Sequence, residues 1–129
     1  MPVTRITLGD HYTDTQLEDI SAILHQSLTE EFSVPLNDCF QIFERLPDSQ
    51  RVFDRHYQSG KRSNNFVLFQ ITAGKLRTME QKQNLYSVLS QRLFSALDIN
   101  PDDVMVIIQF NHAEDWSFSN GEMYCPEAL

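Results

Sequence analysis

Residues 66–110 read FVLFQITAGKLRTMEQKQNLYSVLSQRLFSALDINPDDVMVIIQF, and three segments of different period can be separated within them. Phe66 to Thr72 is a nearly continuous apolar run, the pattern of a strand covered on both faces. Gly74 breaks it. Thr78 then caps a helix, with Glu80 in its first turn and Leu85, Val88, Leu89, Leu93, Ala96 and Leu97 on one stripe. Pro101 ends the connection, and Val104 to Phe110 is a second strand. The segment is a β-α-β unit.

The same layout lies upstream. Val3 to Leu8 is a β-branched run, Gly9-Asp10 a break, and Thr13 or Asp14 opens a helix with Leu17, Ile20, Ile23, Leu24, Leu28 and Phe32 at three- and four-residue steps. That pattern stops before Pro35, and Cys39 to Glu44 reads as the closing strand. Thr13 to Pro35 spans 22 positions and Thr78 to Pro101 spans 23. The chain is therefore predicted to be an α/β (α+β) domain over 1–129, made of tandem duplicated β-α-β units. Repeat one is about 2–46, a linker about 47–65, repeat two about 66–110 and a C-terminal tail 111–129. The linker is polar, with a helical turn expected around Val52-Phe53. Right-handed crossovers make each strand pair parallel, with both helices on one face of a four-stranded sheet. The other face is left bare, so a homo-oligomer is expected.

Composition narrows the function classes. With 129 residues, 41% hydrophobic and 22% charged, the chain has the size of one domain and enough apolar residues for a core. Ten basic against eighteen acidic residues give a formal charge of -8. A broad nucleic-acid surface is excluded, because counterion release needs clustered Lys and Arg. No run approaches the length of a membrane span and the N-terminus lacks a secretory signal. Cys39 and Cys125 read as reduced thiols, so a cytoplasmic protein is expected. His11, His25, His56 and His112 show no ligand spacing; neither a metal nor another cofactor is expected.

A proline directly after the initiator methionine, at the start of a strand, in a chain of two β-α-β repeats, resembles the tautomerase superfamily. Within it the chain is similar to malonate semialdehyde decarboxylase. The resemblance is carried by Val34-Pro35-Leu36-Asn37-Asp38-Cys39-Phe40-Gln41, Arg77-Thr78-Met79-Glu80-Gln81-Lys82, Pro101-Asp102-Asp103-Val104 and Asp115-Trp116-Ser117-Phe118. It implies a tautomerase-like fold and a homotrimer. It also implies a cofactor-independent enzyme acting on a small carboxylate-bearing oxo acid by decarboxylation, keto–enol tautomerisation or both. Pro2 matches the catalytic amino-terminal proline, exposed once Met1 is removed. Asp38 matches the aspartate of the Pro-x-Asn-Asp motif that works with a water. Arg77 matches the second of two family arginines before the second helix. Lys75 stands where the first would be. Trp116 and Phe118 match the aromatic wall of the decarboxylase pocket.

Each residue also has a plain structural alternative. Proline at position two is common because it is small. Arg77 and Lys75 hold a substrate carboxylate in one reading, the arginine bidentately and the lysine as a point charge; in the other they are solvated loop charges. Asp38 activates water or caps the turn after Pro35, and Asp103, its counterpart in repeat two, is expected only to cap. Trp116 and Phe118 are pocket walls or interface residues. Arg62, in the linker, approaches the site in one reading and is a surface residue in the plainer one. A non-catalytic trimer used for binding or assembly is the competing hypothesis.

Overall fold

The computed structural model describes residues 1–126; 127–129, the last of the tail 111–129, lie outside the described residues. In chain order the elements are β1 (Pro2–Gly9), α1 (Asp14–Phe32), β2 (Gln41–Leu46), β3 (Val67–Ala73), α2 (Met79–Leu97) and β4 (Val104–Phe110). The sheet order is β2-β1-β3-β4. β1 pairs in parallel with β2, and β3 with β4, as each crossover requires. The two halves meet through an antiparallel β1–β3 pair, with Pro2 opposite Ala73 and Leu8 opposite Val67.

The repeats agree down to their caps. Thr13 accepts from the Gln16 N–H at 3.2 Å while Gln16 accepts from the Thr13 N–H at 2.8 Å. Thr78 and Gln81 repeat this reciprocal pair at 3.1 and 2.8 Å. Both helices also end alike: Ser33 (φ 55°) and Asp98 (φ 56°) turn left-handed. The next amide, of Val34 or Ile99, donates back to Leu28 or Leu93 at 3.3 Å.

The core lies between the sheet and the two helices. Ile6 and Leu8 of β1 and Val67, Phe69 and Ile71 of β3 are sealed under Ile20, Leu24, Leu28 and Phe32 of α1 and Leu85, Leu89 and Leu93 of α2. Each such side chain stabilises the fold by about 1.5–3 kcal/mol through burial. Strand alternation sends the intervening residues to the opposite face. Ile42 and Ile107 are exposed there, and Arg5 pairs with Glu44 at 2.6 Å. The apolar run of β3 is thus covered on one face only, and Gln70 on its other face is exposed.

Three expectations need correction. β2 runs from Gln41 rather than Cys39, because Asp38 still belongs to a turn whose amide donates to the Pro35 carbonyl at 3.0 Å. The helical turn of the connecting segment is at Asp48–Gln50, ahead of Val52-Phe53, and Val52 is almost fully exposed. Arg62 is buried, donating to the Tyr57 carbonyl at 2.6 Å.

Candidate active site

At the end of the sheet where β1 begins, β3 and β4 finish and the segment leading into β2 passes alongside. The start of β1, that segment and the tail line a cleft of about 530 Å³. It is lined by Met1, Pro2 and Val3 on the strand side and by Asn37 to Phe40 on the turn. Trp116, Ser117, Phe118 and Tyr124 line it from the tail. The amino-terminal ammonium, on Met1, donates to Asp38 Oδ2 at 2.7 Å. Asp38 therefore reaches the chain's terminal amine across 37 residues, because β1 starts where the Pro35 turn delivers it.

The tail builds the aromatic wall. A short helical turn at Ala113–Asp115 follows β4, and Tyr124 N–H donates to the Trp116 carbonyl at 2.8 Å, folding the chain back on itself. Trp116 stacks on Phe118 with ring centroids 5.3 Å apart, and Tyr124 meets Phe118 edge-on at 5.2 Å. These are favoured aromatic geometries. Trp116 Nε1–H donates to Asn111 Oδ1 at 2.6 Å.

Pro2, Asp38, Trp116 and Phe118, four of the positions singled out in the sequence, thus share one cleft. Lys75 and Arg77 are not among its lining residues. Lys75 is exposed on the turn after β3. Arg77 points inward: its guanidinium donates to the Lys75 carbonyl at 2.5 Å and to the Phe32 carbonyl at 2.9 Å. It also lies 5.0 Å from the Phe32 ring centre. Burial lowers its pKa from the ordinary arginine value, but a guanidinium remains charged in proteins. It satisfies a carbonyl at the end of α1, where a cation also complements the helix dipole. The sequence reading missed Asn111 and Tyr124. Neither carries a local signal: Tyr124 lines the cleft only because the tail folds back on Trp116, and the partner of Asn111 is a side chain that the tail brings back. Among the described residues, no group of His, Cys, Asp and Glu is placed to hold a metal, and no helix is long and apolar enough to cross a membrane.

Comparison with known proteins gives this geometry a lineage. Residues 38–119 match the family model described as tautomerase enzyme. The chain belongs to the tautomerase superfamily. It is 34% identical over 121 residues to the probable tautomerase YusQ of Bacillus subtilis (strain 168), covering 94% of this chain and 95% of that protein. Among solved structures it is similar to a malonate semialdehyde decarboxylase described as having decarboxylase and hydratase activities. The identity is 29% and the TM-score 0.85, with 93% of this chain and 92% of the other covered. A fused 4-OT described as an asymmetric trimer shares the fold at 18% identity and a TM-score of 0.76, covering 94% of each chain. A four-stranded mixed sheet with two helices on one face is the tautomerase fold expected from the sequence.

Proposed function

We propose that this tautomerase-superfamily enzyme, once Met1 is removed, uses the Pro2 amine as general acid or base on a small oxo acid. The observation that carries the reading is the amino terminus 2.7 Å from Asp38 within an aromatic-walled cleft. Removal of Met1 passes the terminal amine to Pro2, which lines the same cleft. A prolyl terminus is a secondary amine on a rigid ring, and α-amino groups titrate near pH 7.7–8.0, close to the operating range of a general acid or base.

Two reactions suit such a nitrogen. As a neutral base it takes a proton from carbon 3 of a 2-oxo acid, the electron pair moves onto the carbonyl oxygen, and reprotonation there gives the enol. As a protonated acid it donates to the carbonyl oxygen of a 3-oxo acid. The bond to the carboxylate then breaks, its pair forms the enol or enolate, carbon dioxide leaves, and carbon 2 is protonated. Asp38 orients a water or holds the ammonium form, and Lys75 supplies a cation for the substrate carboxylate as a mobile point charge. Trp116 and Phe118 exclude water from the reacting carboxylate, which favours loss of its charge. Likeness to the decarboxylase supports the second reaction. A lysine in place of the family's first arginine, together with an Arg77 engaged by two carbonyls, supports the first.

The bare sheet face, with Ile42 and Ile107 exposed on it, supports a homotrimer in which neighbouring copies cover that face. The deciding experiment compares wild type and Pro2→Ala on enol phenylpyruvate and on malonate semialdehyde, with intact mass confirming loss of Met1. We expect Pro2→Ala to lose most activity on at least one of them. Equal rates for the two proteins would leave the non-catalytic trimer as the surviving reading.

A further inference from the structure

Trp116 is the sole tryptophan of the chain, and its indole has two close neighbours. Nε1–H donates to Asn111 Oδ1 at 2.6 Å. An indole N–H is donor only, so it fixes which end of the Asn111 amide faces it. Gly74 is the indole's second neighbour, where a Cβ would sit 2.8 Å from the same nitrogen; only glycine lets the indole lie that close to the β3–α2 turn. Asn111 is itself anchored, its backbone N–H donating to the Ala73 carbonyl at 3.0 Å, and Ala73 is the register partner of Pro2. An unbroken path therefore runs from Pro2 through Ala73 and Asn111 to the indole. Asn111 does not line the cleft.

We propose that Asn111 is a positioning residue that fixes the Trp116 indole relative to Pro2 and thereby determines which oxo acids the cleft admits. The proposal rests on the reading of Pro2 as the reacting group. Its physical basis is that Trp116 continues into a stack with Phe118, so the angle of the indole sets the plane of the whole wall. A substrate carrying a flat apolar substituent binds by stacking on that plane, an interaction of aromatic-pair size made equally in ground and transition states. A three-carbon oxo acid reaches little of it. Loss of the Asn111 contact then raises KM for the larger substrate and leaves kcat in place.

The test uses the full-length protein with Met1 removed and three variants, Asn111→Leu, Asn111→Asp and Trp116→Phe. Asn111→Leu is expected to red-shift the tryptophan emission. It should raise KM for enol phenylpyruvate about tenfold and that for malonate semialdehyde by less than about threefold, with kcat for each unchanged. Asn111→Asp retains the acceptor and should restore emission and KM. In a Trp116→Phe background the leucine substitution should add nothing, because its partner is gone. Unchanged emission and KM ratio in Asn111→Leu, failure of Asn111→Asp to restore them, or a KM rise that persists without the tryptophan would each overturn the proposal. Should wild type turn over neither substrate, the reading of Pro2 fails. The positioning role is then still decided by emission and by quenching titration with phenylpyruvate, where about tenfold weaker binding to Asn111→Leu supports it and equal binding overturns it.

Discussion

Sixty-five residues separate Asp38 from Asp103, Gly9 from Gly74, Tyr12 from Arg77 and Thr13 from Thr78, so the two ends of the sheet are built on one pattern. They differ in what covers them. At the first end Asp38 is 43% exposed and meets the terminal ammonium in an open cleft. At the second, Asp103 is 3% exposed and accepts from Ser63 N–H at 2.6 Å and Ser63 Oγ–H at 2.7 Å. The segment between the repeats folds back over this second end. Arg51 is buried there against Asp48 and the carbonyls of Leu46 and Asn64, and its guanidinium stands over the Phe66 ring at 5.1 Å. Tyr12 donates to the Asn65 carbonyl at 2.5 Å. The same carboxylate is thus a candidate reactive group where the tail arches past it and leaves a cleft, and a structural fastener where the connecting segment closes down on it.

The strongest way to break this contrast is at Pro2. Pro2→Ala should lower kcat/KM at least about 100-fold, the span of a single general acid or base, while the melting temperature stays within a degree or two of wild type. A comparable loss of stability and activity would mean that both ends are structural. Asp103→Ala tests the other end. It leaves the Ser63 amide unpaired and should cost about 2–3 kcal/mol in urea unfolding, with activity per folded molecule preserved. A smaller loss, of about tenfold in kcat, is expected for Asp38→Asn with little change in stability; if it destabilises as much as Asp103→Ala, the two acids do the same work.

The smallest expected effect concerns pH. The Tyr12 hydroxyl is pushed up to about 12, first by burial, then by the nearby Asp103 carboxylate, with Arg51 opposing. A tyrosine whose folded pKa exceeds its unfolded value near 10 keeps its proton longer in the native state. The associated stability is complete below pH 10 and is lost as the pH rises toward 12. Tyr12→Phe should flatten the urea midpoint across that window, while the corresponding change at the first end, Arg77→Gln, which adds no group titrating there, should not alter its shape.

What the sequence disclosed and what it concealed follow the same division. The two helices were legible because their information is local: Thr13 and Thr78 stand three residues before Gln16 and Gln81, and the apolar stripes repeat every third or fourth residue. The strands were legible to within about two residues, with the error in β2 arising where Asp38 and Cys39 extend a turn rather than a ladder. The duplication gave the sheet its parallel halves, but nothing local specifies the antiparallel β1–β3 seam. Two arginines were misjudged or left open for one reason. Arg62 and Arg77 are held by backbone carbonyls, and a carbonyl has no letter in the sequence. Asp103 was taken for a turn cap because Ser63, forty residues away, gives no hint of returning to it. Pro2, Asp38, Trp116 and Phe118 were found through resemblance to a family; spacing alone does not join residue 2 to residue 116.

One consequence concerns time. The pocket is assembled from the two extremities of the chain, residues 1–3 and 116–124. Met1, in the finished fold, has its ammonium on Asp38 and its thioether beside Gly74. A ribosome working at about 5–20 residues per second needs roughly 6–25 s to go from the first of these segments to the last. Throughout that interval the methionine is free to enter an aminopeptidase, and afterwards its ammonium is held by Asp38 and its side chain is largely covered. Trimming should therefore be fast on nascent chains and slow on folded protein that still carries Met1.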